Sequence, residues 1–303
     1  MQKLRRLLPA PIRRPLGNAR RRLGRALLGQ VPAASGTPAP GILEAYVRAA
    51  PSAQTVIDIF KGEWSSRFPP PLEAATGGSS PLFEDGRIAW MLEQFGGLGG
   101  QRVLELGPLE GGHTYMLERA GAAAITAVEG NTRAYLRCLV VKELFDLRHS
   151  SFLCGDLMEY LRSTDDRFDV CVASGVLYHM LNPAEMIDLC GRVSNRLFLW
   201  THYYEASVID ANPRIKAEFS GSQTVTYRDF QHSLYRHHYG ETLGWTGFCG
   251  GANPHSSWMT KEDIVACLDH FGWTIVATGF DARDHSHGPS FALVAKKQYL
   301  SGR

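Results

Sequence analysis

Three acidic residues stand where short apolar runs give way to glycine-bearing turns. Glu105 lies in RVLEL, just before Gly107-Pro108-Leu109-Glu110-Gly111-Gly112. Glu129 closes AITAVE, 22 residues after Gly107, and Asp156 follows SFLC and Gly155. An ionised carboxylate only accepts hydrogen bonds, so this trio suits a ligand rich in donors and positive charge. Glu105 can accept from an ammonium group, directly or through water. A carboxylate at the Glu129 position can accept both hydroxyls of a ribose. Asp156 can accept from the amino group of an adenine. Each acid alone would pass as a solvated strand end; three on successive strand ends point to one ligand.

The turn after Glu105 separates two ligand classes. A dinucleotide needs a second glycine for close approach of its diphosphate, and that position is Leu109. Glu110 is expected to repel a diphosphate as well. A nicotinamide oxidoreductase is disfavoured on both counts.

Further along, FDVCVASGVLYHM places Ser174, Gly175, Tyr178 and His179 beyond another strand end. A histidine titrates near neutrality, so His179 can act as a general base or simply shape a pocket. Tyr178 can orient a ligand there. His202, Tyr203 and Tyr204 follow the next strand and open a stretch of 57 residues, 202–258, with five histidines and ten aromatics. Long connections at this position are often functional. The expectation is an acceptor site with a lid; a local aromatic core is the alternative. His202 is a candidate for catalysis, and Tyr203, Tyr204 and His237 for substrate contact. The histidines of HSLYRHH fall at i+5 and side by side, not at the i+4 spacing of helical metal ligands, so no metal is assigned. Upstream, Lys61 could bind an anionic substrate and Trp64 could cover a cation, or KGEW could be a helix end packed on the fold. Arg87, beside Asp85, precedes the first strand and could touch the same ligand as Glu105.

These residues need elements to hold them. RVLEL (102–106), AITAVE (124–129), SFLC (151–154), FDVCVAS (168–174) and RLFLW (196–200) read as strands. Helical segments at 113–121, 132–145, MEYLRS and PAEMIDLCGRV lie between them. This alternation predicts an α/β fold, a doubly wound parallel sheet covered on both faces. Helices are also expected at 52–60 and 83–95. Thr260 opens a further helix with Asp263 at the capping-box position. WTIVATGF and SFALVAKK then form an antiparallel pair at the sheet edge.

The 303 residues suit about two domains, or one α/β domain with insertions. With 44% apolar and 20% charged residues, a large core needs no disulfides. Six scattered cysteines without a CxxC read as reduced thiols, and no apolar run reaches membrane-spanning length. Residues 1–30 hold nine Lys or Arg and no acid. The remainder holds 23 basic and 30 acidic residues, a net charge of −7, which argues against a nucleic-acid partner. The basic stretch from Asn18 could form an amphipathic helix touching an anionic membrane surface, or be a frayed terminus. The expected divisions are a tail and linker (1–41), a helical segment (42–98) and the α/β domain (99–303). A cytoplasmic protein, peripheral to a membrane at most, is expected.

The turn at Glu105, Gly107 and Gly111, the Glu129 strand end and Gly155-Asp156 resemble the cofactor motifs of class I S-adenosylmethionine-dependent methyltransferases. The resemblance spans roughly residues 80–300. It implies a Rossmann-like seven-stranded sheet with the antiparallel C-terminal edge hairpin, the inserted lid preceding the last helix, and S-adenosylmethionine as cofactor. The residues flanking the motifs are assigned with them: Pro108, His113 and Thr114, then Gly130, Asn131 and Leu157, then Ser174 and Gly175, with Trp64 and Arg87 from upstream. GVLYH, Glu63-Trp64 and Gly111-x-His113 are similar to segments of the tRNA uridine carboxymethyltransferases. The implied activity is methylation of a small-molecule hydroxyl on a sugar, glycolipid precursor or secondary metabolite. A tRNA-modifying transferase and a non-enzymatic S-adenosylmethionine-binding module are the alternatives.

Overall fold

A computed structural model describes residues 46–245, 247, 248 and 250–297. The expected basic helix and the linker lie outside the described residues. Of the described residues, those from 51 to 297 form one compact unit, and 46–50 fall outside it.

The main sheet holds β1 (Arg102–Leu106), β2 (Ala124–Glu129), β3 (Ser150–Cys154), β4 (Val170–Ser174), β5 (Arg196–His202), β9 (Trp273–Ala282) and β10 (Ser290–Lys297). Their order is β3-β2-β1-β4-β5-β10-β9. The first five are parallel, while β10 runs antiparallel to both β5 and β9. The expected seven-stranded sheet with its edge hairpin is therefore present. β1 has β2 on one side and β4 on the other, so the winding reverses there and a crevice opens beyond the carboxyl ends.

Alternate residues of each strand serve opposite faces. Leu104, Leu106, Cys171, Leu197 and Leu293 pack beneath helices α6 (Pro183–Val193) and α9 (Lys261–His270). Val103, Val170, Val172, Phe198 and Val294 pack with Ile88 and Met91 of α2 (Gly86–Phe95) and Leu117 of α3 (Gly112–Arg119). Both faces are covered, which explains the unbroken apolar runs in the sequence. A third cluster joins Ile57 of α1 (Ala53–Ile57), Phe60, Trp64, Phe68 and Phe83 to Val141 of α4 (Thr132–Leu144) and to Leu147.

The segment between β5 and α9 departs from a simple loop. After two short helices, α7 (Ala206–Ile209) and α8 (Pro213–Lys216), it forms a separate antiparallel sheet of β6 (Phe219–Tyr227), β7 (Phe230–His238) and β8 (His255–Trp258). These strands carry no clear signal in the sequence. Most of β6 is exposed, and β7 buries Phe230, His232 and Leu234, with a histidine in the apolar register. The β6–β7 turn is Arg228-Asp229, both at positive φ, where Asn-Gly would have announced a hairpin. The capping box at Thr260 is only half present. Thr260 Oγ1 accepts from the Asp263 N–H at 3.0 Å, but the Asp263 carboxylate accepts instead from the N–H of Ser233 at 3.1 Å. It ties the added sheet to α9.

Candidate functional site

The crevice beyond the strand ends is a cleft of about 920 Å³. One wall comes from the turns after β1 to β4. Gly107, Pro108 and Leu109 follow β1; Glu129, Gly130 and Asn131 follow from β2; Gly155, Asp156 and Leu157 follow β3; Ser174 and Gly175 follow from β4. Asn131 and Asp156 also cap α4 and α5 (Leu157–Ser163), each side chain accepting two backbone N–H groups.

Glu129 is buried and well satisfied. Its Oε2 accepts from the Leu109 N–H at 3.0 Å and its Oε1 from the Asn131 N–H at 2.8 Å. Burial pushes its carboxyl above the ordinary value, against these hydrogen bonds and the charge of Arg137. Each oxygen keeps a second lone pair for a ligand hydroxyl. Leu109 holds φ at 57°, the left-handed conformation a glycine would take there, and its N–H bond to Glu129 helps offset a cost of about 1–2 kcal/mol.

Glu105 is 2% exposed. Its Oε2 accepts from Thr114 Oγ1 at 2.5 Å, and its Oε1 is buried without a hydrogen-bond partner. Burial raises its pKa to about 7 against the Thr114 hydrogen bond. Glu105 lies outside the cleft lining, and its buried Oε1, with nothing to accept, is a place for a donor. Glu110 contradicts its expected part: it faces away from the cleft, fully buried, accepting from the N–H groups of Ser65 (2.8 Å) and Ser66 (2.9 Å) near Arg137. It secures the N-terminal segment and would not meet a diphosphate.

Arg87 and His113 line the cleft from the other side of the β1 turn. Both bind Asp85, which accepts from His113 Nε2 at 2.9 Å and from the Arg87 guanidinium at 2.5 Å. Burial alone would raise Asp85, but the hydrogen bonds and charges of His113 and Arg87 hold its carboxyl well below the usual range. The Arg87 guanidinium carbon lies 4.1 Å from the centre of the Trp200 ring.

His179 and Tyr178 also line the cleft. His179 Nδ1 is 2.7 Å from the Tyr239 hydroxyl. Burial, with the nearby His237 and His202, lowers its pKa to about 3, so it is neutral at physiological pH rather than poised near neutrality.

Several expected residues lie elsewhere. Trp64 is buried in the aromatic cluster, its indole N–H donating to Ile57 O at 2.8 Å. Lys61 is exposed and outside the cleft lining. Gly111, at φ 78°, starts α3 against Val141 and Phe152, and Thr114 is buried behind it. His202 lies behind Tyr178, its Nδ1 donating to Gly288 O at 2.9 Å. Burial lowers its pKa to about 4. Tyr203 points into the core against Phe291, because neighbouring strand residues face opposite ways. Tyr204 stacks on Tyr235 at 3.6 Å. His237 stacks on Trp258 and bonds Glu218 at 3.1 Å. The second wall instead uses Leu243, Trp245, Phe248 and Asn253 from the far end of the insertion, with Asn182 and Glu185 of the α6 start. None of these stood in a recognisable motif. Among the described residues no group of three His, Cys, Asp or Glu is placed to hold a metal ion.

Residues 104–196, from β1 to the start of β5, match a family model described as a methyltransferase domain. That span of the chain is thus similar to a methyltransferase domain. The fold of the chain is shared with the N-terminal domain of EvdMO1, solved in the presence of SAH and D-fucose. That match has 22% identity over 80% of this chain and 94% of the other, with a TM-score of 0.59. The whole of EvdMO1 matches at 20% identity and a TM-score of 0.51, with 80% of this chain covering 46% of it. An S-adenosylmethionine-dependent methyltransferase from Mesorhizobium loti matches at 13% identity and a TM-score of 0.51, over 71% of this chain and all of the other (100%). No curated protein matches the chain. Its residues fit S-adenosylmethionine as cofactor: the unpartnered Glu105 Oε1 and Ser174 Oγ, and the spare lone pairs of Glu129, answer a cationic nucleoside rich in donors.

Proposed function

We propose that the protein moves the methyl group of S-adenosylmethionine to a hydroxyl of a small molecule: a sugar, glycolipid precursor or secondary metabolite. When bound, the cofactor supplies an electrophilic methyl group on a sulfonium. In this reading Glu129 accepts the ribose hydroxyls, Asp156 the adenine amino group and Glu105 the ammonium, while Arg87 meets the carboxylate. The insertion closes over the acceptor, Trp245 adding apolar contact at the cleft edge and Phe248 holding it in line; such positioning supplies much of the catalysis in methyl transfer.

One observation carries the choice of a hydroxyl: a neutral histidine, His179, on the cleft wall beside Tyr178. A hydroxyl must lose its proton, and its oxygen becomes a far stronger acid as the methyl bond forms. Even a weak base can then take that proton at Nε2. A sugar acceptor is supported by the domain of EvdMO1 held with SAH and D-fucose. The test is His179→Ala, assayed by release of S-adenosylhomocysteine over a panel of deoxysugar glycosides. Turnover should fall on the order of 10²-fold or more with S-adenosylhomocysteine affinity unchanged. With cofactor saturating, wild-type kcat should stay flat down to about pH 5, because the lowered pKa keeps His179 unprotonated. Full turnover by His179→Ala would remove the base from the mechanism.

A further inference from the structure

Tyr239 follows β7 and is 9% exposed. Its hydroxyl oxygen lies 2.6 Å from Gly250 O and 2.7 Å from His179 Nδ1. A carbonyl oxygen can only accept, so the single phenolic hydrogen is committed to Gly250. The same oxygen must then accept from His179, which places the imidazole hydrogen on Nδ1. Nε2, on the far edge of the ring, is left with a bare lone pair.

The surroundings hold this arrangement from several sides. The Tyr239 N–H reaches Pro254 O at 3.3 Å, closing the base of the 239–254 segment. Phe248 packs edge-on against the Tyr239 ring, with centroids 4.9 Å apart. Asn131 Nδ2, on the cofactor side, donates to Phe248 O at 2.8 Å. The Ser257 N–H donates to Met180 O at 2.9 Å, fixing β8 to the turn that carries His179. The inserted segment is thus pinned both to the loop beside Glu129 and to the turn of His179.

We propose that Tyr239 is the positioning residue of the reaction: it sets the His179 tautomer, so that the ring presents an acceptor and not a donor to the substrate. The tautomer stands independently of the proposed hydroxyl chemistry; only what Nε2 accepts rests on that reading. With the opposite tautomer, Nε2–H would meet the acceptor hydroxyl as a donor and could take no proton.

Long-range proton–nitrogen correlation spectra of the histidine-labelled full chain test this directly, with His179 assigned by its loss in His179→Gln. The native protein should show His179 protonated at Nδ1. Tyr239→Phe keeps the ring but removes the oxygen; it should bring a mixture of tautomers and a fall in kcat of roughly tenfold or more, with S-adenosylhomocysteine affinity unchanged. A native His179 protonated at Nε2 overturns the proposal, whether or not Tyr239→Phe folds. So does an unchanged tautomer in Tyr239→Phe. A shifted tautomer with full turnover upholds the assignment of Tyr239 to the tautomer and sinks the hydroxyl-base reading instead.

Discussion

Glu129 and Asp156 sit at the ends of neighbouring parallel strands, where register fixes each of them beside the crevice. Trp245, Phe248 and Asn253 hang on a segment that leaves β7 and returns as β8. One cleft therefore has two kinds of wall. In the first, the position of a side chain follows from its own strand, its alternation and the turn after it. In the second, position depends on contacts with chain far away, such as Asn131 with Phe248 and Asp263 with Ser233. In the proposed function, cofactor recognition rests on the frame of the fold and acceptor recognition on an addition to it. Changes in the first wall should therefore act on cofactor affinity, and changes in the second on acceptor kinetics.

The largest expected effect lies on the first wall. Glu129→Ala removes a carboxylate that binds two backbone N–H groups and, in the proposed function, two ribose hydroxyls. Hydrogen bonds to a charged group contribute about 1.5–3 kcal/mol each. S-adenosylhomocysteine affinity measured by calorimetry should fall on the order of 10²-fold or more. An affinity within a few-fold of wild type would mean that the ribose is held elsewhere, and the contrast between the walls would lose its basis.

Glu105 gives a smaller effect with a definite sign. Its pKa of about 7 means that the carboxyl is protonated on the acid side of neutrality. A ligand ammonium favours the ionised form, so binding must release that proton when the pH lies below the raised value. Affinity should weaken as pH falls from about 8 to 6, by at most about tenfold per unit. Calorimetry in buffers of different ionisation enthalpy reads the proton release itself. A dissociation constant flat over this range would remove Glu105 from contact with the charge.

The same contrast explains what could be read from the chain before its structure. The alternation of strands and helices, the edge hairpin and the acids at the strand ends follow from local periodicity and turn residues, and they are where expected. Leu109 stands where a dinucleotide turn needs a glycine, yet the backbone turns there as a glycine would, with its N–H anchored on Glu129. Glu110 was misread because adjacent turn residues point in opposite directions, and its partners Ser65 and Ser66 lie more than forty positions upstream. Tyr203 was misread through strand alternation at the end of β5. Tyr239 had no signal, since its value comes from His179 and Gly250, brought together only by the folded insertion.

The mildest test sets Trp245 against Tyr203, both aromatics of the same inserted stretch. Trp245 is 62% exposed at the cleft edge, while Tyr203 is 3% exposed and packs on Phe291. An exposed indole beside a binding cleft has apolar area left to bury, and covering part of it on an acceptor is worth about 1–2 kcal/mol. Trp245→Ala should raise the acceptor KM roughly tenfold, with kcat and S-adenosylhomocysteine affinity preserved. Tyr203→Phe keeps the buried ring and should leave the acceptor KM unchanged. If the two variants exchanged these phenotypes, the acceptor would lie towards the end of β5, and the second wall would belong to the sheet frame after all.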